Sequence, residues 1–192
     1  MVKWEQLSAS EGGRDNNMEL AKNLETPRLV IRSCRKTDTD FILSIWGDRE
    51  NGKFMTTAAS ENVDEKYLEA IEGLSDDPDG YNMIIELKES GASVGTCCAY
   101  PENGNYDIGY RIAKEHWKEG LGTEMIGALL QWIRAQGGTS ASGEIADRNA
   151  GSVALARKLG FAPDEETRYK KWGEETYFDA HIYRADLTKE DK

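Results

Sequence analysis

Residues 106–132, YDIGYRIAKEHWKEGLGTEMIGALLQW, join three local patterns that leave the chain little freedom. Ile108, Tyr110 and Ile112 alternate with Asp107, Gly109 and Arg111, which is the period of a strand; Met125, Leu129, Trp132 and Ile133 recur at helical spacing. Gly120 and Gly122 lie between the two runs. A strand that passes through a glycine turn into a helix brings unpaired backbone N–H groups and the positive end of the helix dipole to one point, which suits a phosphate or pyrophosphate.

Spacing separates the known kinds of phosphate loop. A nucleoside triphosphate loop requires Lys-Ser or Lys-Thr after its second glycine, where this chain has Thr123 and Glu124. A dinucleotide fingerprint requires a third glycine where this chain has Met125. The remaining pattern is Gln, Arg or an aromatic, two residues, Gly, any residue, then Gly or Ala, met by WKEGLG at residues 117–122. It resembles motif A of the GNAT N-acetyltransferases, whose loop holds the pyrophosphate of acetyl-CoA. A second stretch, NAGSVALARKLGF at residues 149–161, is similar to the Asn-x-x-Ser and Lys-Leu-Gly-Phe segment of the same superfamily. With LETPRLVIR at residues 24–32 and Tyr177, Phe178 and Asp179 near the end, the chain most resembles the branch of ribosomal-protein N-terminal acetyltransferases and their small-amine relatives. The resemblance covers nearly everything after Leu20.

Composition narrows the partners. A length of 192 residues predicts one domain, expected over residues 21–187, with a mobile extension at 1–20, in which Trp4 is the one residue suited to docking, and a frayed tail at 188–192. The formal net charge of −11 argues against nucleic acid and suits a cationic partner. No apolar run reaches membrane-spanning length and the N-terminus lacks the order of a signal peptide, so the expected setting is cytoplasmic, with no membrane partner. Cys34, Cys97 and Cys98 fit neither a disulfide framework nor a zinc spacing and are expected as reduced, buried thiols, without a metal.

The periodicities predict strands over 28–34, 81–87, 93–100, 107–113, 140–146, 161–172 and 176–186, the third joined to the second by a turn at 89–92 and the last two joined around Gly173 and Glu174. Helices are expected after a cap at Thr37 or Asp38, with Phe41, Ile42, Ile45 and Trp46 inward, and over 64–74, with Tyr67, Leu68 and Ile71 inward. A loop is expected from Asn51 to Asn62, and a further helix carries Ser152 and ends at Gly160. The fold class is α+β, or mixed α/β, on one twisted, mostly antiparallel sheet. The resemblance implies the GNAT arrangement, in which the strands at 107–113 and 140–146 splay apart and pantetheine lies in the gap.

It also implies roles. Backbone N–H groups around Arg111, Ile112 and Ala113 would hold the cofactor arm and polarise its carbonyl. Gly120, Gly122 and Thr123 would give amides to the pyrophosphate, with Trp117, Lys118, Leu121 and Asn149 beside them. Many relatives place a tyrosine acid four residues before Gly160, where this chain has Ala156, so Ser152 is the alternative proton donor to the thiolate; a serine in a first helical turn also commonly satisfies backbone. Asp107, in place of a family glutamate, or else Glu144, would serve as base. His116 and His181 are further titratable groups, although a lone histidine is more often structural. Phe54, Met55, Tyr67, Asp76, Asp77 and Asp79 are candidate acceptor contacts, for each of which packing or a solvated turn competes. The activity implied is acetyl-CoA-dependent acetylation of a small amine or a protein N-terminus by a monomer or homodimer, against a rival in which the fold binds CoA or a peptide without catalysis.

Overall fold

The computed structural model describes residues 18–56, 65–171 and 175–189. The strands are β1 (Leu24–Glu25), β2 (Leu29–Ser33), β3 (Tyr81–Leu87), β4 (Ser93–Glu102), β5 (Asn105–Ile112), β6 (Ser140–Ala146), β7 (Ala162–Lys170) and β8 (Tyr177–Asp186). The helices are α1 (Thr39–Gly47), α2 (Glu65–Gly73), α3 (Leu121–Ala135) and α4 (Ala150–Lys158). All eight strands form one sheet in the order β1-β2-β3-β4-β5-β6-β8-β7, antiparallel except where β5 meets β6. Residues 1–17, Trp4 among them, lie outside the described residues, as do Gly173 and Glu174 and the stretch 57–64.

Helices cover both faces of the sheet, and β3 shows why its sequence is almost continuously apolar. Met83 and Ile85 point to the side where Leu121, Met125, Ile126, Leu129 and Ile133 of α3 are buried, together with Ala156 of α4. Ile84 points to the other side, against Ile42 of α1 and Tyr67 and Ile71 of α2. A strand buried on both faces has no position to spare for alternation with polar residues. Each of the buried Leu, Ile and Met side chains among these contributes about 1.5–3 kcal/mol of hydrophobic stabilisation.

Several boundaries differ from expectation for identifiable reasons. Asp38 stands at the N-cap position of α1, but its carboxylate makes no cap bond. It accepts instead from Nη1 and Nη2 of Arg32 at 2.7 and 2.8 Å and from the N–H of Arg35 at 2.8 Å. The strand β1 was not foreseen; two residues are too few to show a period. Within the segment expected as an extension, Met18 N–H donates to Asp77 O at 3.1 Å and Leu20 N–H to Ser33 Oγ at 2.8 Å. At the far end Thr188 is tied to Asp186 by its N–H and its hydroxyl.

Candidate active site

After Ile112 the chain makes a single 3-10 turn at Lys114–His116 and reaches α3 through residues 117–120. Lys118 and Gly120 are left-handed, with φ of 66° and 80°. Glycine accepts that conformation without steric cost, whereas Lys118 holds it at about 1–2 kcal/mol. The turn is pinned at both ends. Trp117 Nε1 donates to Ile112 O at 2.7 Å. Glu124, in the first turn of α3, accepts from Thr26 Oγ1 at 2.6 Å, Arg28 N at 2.8 Å and Arg28 Nε at 2.6 Å. Arg28 Nη1 also donates to Glu119 O at 2.9 Å. Glu124 N bonds Gly120 O at 3.2 Å, which closes the first turn of the helix and leaves the N–H groups of Leu121, Gly122 and Thr123 directed out of its end. A Cβ on Gly122 would lie 2.8 Å from Leu155 Cδ1 of α4, so a side chain there requires Leu155 to shift.

The second half of the site comes from β5 and β6. They pair over only three positions, Asn105 with Ser140, Tyr106 with Ala141 and Asp107 with Ser142. Beyond these, β5 stays with β4 as far as Ile112 and β6 stays with β8 as far as Ala146, so the two part. A cavity of about 760 Å³ opens between them, running from the glycine turn past Ser152 to Phe54 and Met55 on the loop after α1. Ala113 N–H donates to Val94 O at 2.8 Å. In an antiparallel pair successive residues direct their N–H groups to opposite sides, so Arg111 also faces β4, while Tyr110 and Ile112 face the side that β6 has vacated. The position of Ile112 O, which takes the Trp117 bond rather than a β4 donor, agrees with that alternation.

α4 delivers one hydroxyl to this cavity. Asn149 caps the helix by accepting Ser152 N–H on its Oδ1 at 3.2 Å, and Ser152 Oγ accepts from Tyr110 Oη at 3.0 Å. All three residues line the cavity. Burial pushes the Tyr110 phenol above its ordinary pKa, with the Ser152 hydrogen bond opposing that rise.

The acetyltransferase (GNAT) domain family matches residues 28–162, which include both the glycine turn and the parted strands. The chain belongs to that family. It is 27% identical over 150 residues to the uncharacterized N-acetyltransferase p20 of Bacillus licheniformis, covering 73% of this chain and 82% of that one. It is 24% identical over 166 residues to the uncharacterized N-acetyltransferase YoaA of Bacillus subtilis, covering 83% and 94%. Among solved structures, the spermidine N-acetyltransferase of Vibrio cholerae in complex with CoA and spermine superposes with a TM-score of 0.73 at 17% identity, covering 85% of this chain and 98% of that one. The ribosomal-protein-S5-alanine acetyltransferase of Vibrio fischeri gives 0.68 at 13%, covering 89% and 100%. At such identities these structures share the fold with this GNAT protein. The expected α+β fold on one mostly antiparallel sheet is the one observed. The protein is an N-acetyltransferase with acetyl-CoA as co-substrate.

The cavity of this acetyltransferase gathers Arg111, Ile112, Trp117, Lys118, Gly120 and Leu121 from the sequence candidates, and also Gly122, Thr123, Asn149, Ser152 and Glu144. Ala113 is outside its lining and its N–H is taken by Val94, because it falls on the β4-facing phase of the strand. Asp107 is also outside the lining, at the last position where β5 and β6 are still paired. Glu144 lies beyond the point of parting and accepts a short hydrogen bond from Thr167 Oγ1. Ala156, at the position where many relatives carry tyrosine, is buried.

Of the acceptor candidates, Phe54 and Met55 line the cavity and the others do not. Tyr67 belongs to the core beneath α1 and α2. Asp77 is buried and accepts from Asn82 Nδ2 and Tyr100 Oη, and Asp76 pairs with Lys36 at 2.8 Å. His116 lies 3.3 Å from Glu119 and His181 lies 2.7 Å from Asp147. His116 lines the cavity, and His181 does not. Arg111 is buried, with its guanidinium 4.3 Å from the centroid of the Trp46 ring. Burial lowers it to about 10, which leaves it cationic at neutral pH.

Sequence reasoning missed three parts of this site: Tyr110, the Arg28–Glu124 clamp, and the bond of 2.5 Å by which Tyr169 Oη holds Phe54 O. Tyr110 alone had a signal, since it shares the alternation phase of Ile108 and Ile112.

Proposed function

We propose that this acetyltransferase moves an acetyl group from acetyl-CoA to a primary amine, either a small cationic amine or a protein N-terminus, by direct attack in a ternary complex. The observation that carries the reading is a single cavity that joins the glycine turn, the parted strands and the Ser152 hydroxyl. Gly120 and Gly122 allow the close backbone approach that a pyrophosphate needs, and the N–H groups of Leu121, Gly122 and Thr123 meet it with the positive end of the α3 dipole. Lys118 adds a cation at the same turn, and Trp117 holds the turn in shape through its bond to Ile112 O.

Acetyl-CoA supplies an activated thioester. The N–H groups of Tyr110 and Ile112, directed into the gap, suit the amide-bearing arm and polarise the reacting carbonyl, and Ser152 donates a hydrogen bond to the leaving sulfur. Glu144, within the cavity, is better placed than Asp107 to take the proton released by the amine. Asp107 is left with a role through water or through the sheet. The net charge of −11 favours cationic acceptors at long range. Similar folds in proteins named for spermidine and for a ribosomal-protein alanine span both sizes of amine.

The test combines melting temperature with thiol release. Acetyl-CoA at a hundred times its dissociation constant should stabilise the protein by about 2.7 kcal/mol. Thiol release should then depend on an amine drawn from a panel of polyamines, amino sugars and peptides with free N-termini. Stabilisation without thiol release from any amine would favour a binding module, the reading that the buried Ala156 supports.

A further inference from the structure

We propose that Tyr110 is a positioning residue for the hydrogen bond to the leaving group, its phenol setting the direction of the Ser152 hydroxyl so that the serine proton faces the leaving sulfur. The inference rests on the acetyl-transfer reading and adds a residue to it.

A serine in the first turn of a helix usually spends its hydroxyl on backbone. Ser152 does not fit that description, because its N–H is met by the Asn149 side chain and its Oγ accepts a proton from Tyr110 Oη at 3.0 Å. A hydroxyl has one proton and two lone pairs. With one lone pair engaged by Tyr110, the remaining proton of Ser152 is free to turn toward the cavity that both residues line. A hydroxyl that accepts one hydrogen bond is also a stronger donor in the next, since polarisation along the chain is cooperative at low dielectric. Burial keeps the phenol protonated at neutral pH, so Tyr110 stays a donor throughout.

The proton balance is simple. The carbon–sulfur bond of the tetrahedral adduct breaks, the sulfur leaves with the electron pair as a thiolate that accepts a hydrogen bond from the Ser152 O–H, and the thiolate takes its proton from solvent as CoA departs. The Tyr110 O–H bond to Oγ directs and strengthens that donation, and both hydroxyls keep their protons. Tyr110 is fixed for this task by its place on β5: its ring joins the core between sheet and α3, and its Cε2 lies 3.9 Å from the site of a Cβ on Gly122. The same backbone position that directs its N–H to the gap therefore also sets its hydroxyl on α4.

The experiment uses Tyr110→Phe, Ser152→Ala and the double variant, with an amine that the wild-type protein acetylates. Each single change should lower kcat by roughly tenfold or more while leaving KM for acetyl-CoA within about twofold. The double variant should be no slower than the slower single one, because both changes remove the same hydrogen bond to the sulfur. Unchanged kcat in Tyr110→Phe, losses that multiply in the double variant, or a rise in KM alone would each overturn the assignment.

A second readout needs no turnover. The ultraviolet absorbance of the thiolate reports ionisation of bound CoA, which should occur at lower pH in the wild type than in solution and return toward the free value in Tyr110→Phe. CoA that binds both proteins and ionises alike in both would overturn the role of Tyr110 while leaving the acetyl-CoA reading intact. Failure of the wild type to bind CoA would overturn both.

Discussion

Arg28 and Glu124 clamp the glycine turn to the edge of the sheet: Arg28 Nε and N–H both reach the Glu124 carboxylate, at 2.6 and 2.8 Å, while Arg28 Nη1 holds Glu119 O on the other side of Gly120. The carboxylate is nearly buried and the guanidinium half exposed, so screening reduces the ion pair, and the charge-assisted N–H and Thr26 bonds carry most of its effect. Glu124→Gln should cost about 1 kcal/mol of stability and weaken CoA binding by a larger factor than kcat, since it loosens the turn without touching the reacting atoms. Urea denaturation and calorimetric titration with CoA measure the two effects. Equal affinity in wild type and variant would remove the clamp from cofactor binding.

That contribution has a pH signature. Burial alone would raise the Glu124 carboxyl, but hydrogen bonds from Thr26 and from the backbone and side chain of Arg28 outweigh it and hold the group below its ordinary value. A carboxyl depressed in the folded state stabilises fully above its unfolded pKa, about 4.3, and loses that stabilisation as pH falls through the folded one. The stability difference between wild type and Glu124→Gln should accordingly be constant near neutrality and shrink in acid. A difference that grew on acidification would contradict the sign.

The two glycines of the turn should respond differently to alanine. At Gly120 the φ of 80° makes any Cβ costly, so Gly120→Ala should destabilise the unliganded protein by about 1–2 kcal/mol. At Gly122 the obstacle is Leu155 Cδ1 at 2.8 Å, the end of a side chain that is free to turn, and alanine gains up to about 1 kcal/mol of helix propensity. Gly122→Ala should therefore melt near the wild-type temperature yet bind CoA roughly tenfold more weakly, a loss of about 1.4 kcal/mol. Similar melting temperatures for both variants would show that the turn's conformation does not limit stability.

The far end of the cavity offers a separate handle. Tyr169 Oη donates to Phe54 O at 2.5 Å, and the Phe54 ring meets Phe178 edge-on with centroids 5.7 Å apart. Tyr169→Phe removes one hydrogen bond, worth about 1 kcal/mol, and leaves the ring contact. If Phe54 and Met55 touch the acceptor, KM for the amine should rise about fivefold with KM for acetyl-CoA unchanged. A change confined to acetyl-CoA would place this loop with the cofactor.

What the chain reveals before folding depends on the distance over which a feature is encoded. Ile108, Tyr110 and Ile112 announce β5, and Met125, Leu129 and Ile133 announce α3, because each period is complete within a few residues. The parting of β5 and β6 was reached only through the family resemblance, since no local period says where two strands separate. Bonds that complete the site join residues 96 apart in Arg28–Glu124, 42 apart in Tyr110–Ser152 and 115 apart in Tyr169–Phe54. Asp107 marks another limit: the resemblance offered it as a base in place of a family glutamate, and the register that pairs it with Ser142, at the last position before the gap, is not written in any local period.

The last prediction concerns the route of the acetyl group. A covalent route through cysteine needs a thiolate near neutrality at the cavity, and none of the three cysteines lines it. Cys97 and Cys34 are buried, Cys98 adjoins Cys97 on β4, and burial raises all three thiols, Cys34 to about 11. The proposed direct attack of the amine requires both substrates to be bound together. Initial rates measured against acetyl-CoA at several fixed amine concentrations should give intersecting reciprocal lines, and incubation with acetyl-CoA alone should leave intact mass unchanged. Cys98→Ala, the least buried of the three, should keep kcat within about twofold of wild type. Parallel lines, or a mass increase of one acetyl group that is discharged by added amine, would establish an acetyl-enzyme and overturn the ternary-complex scheme.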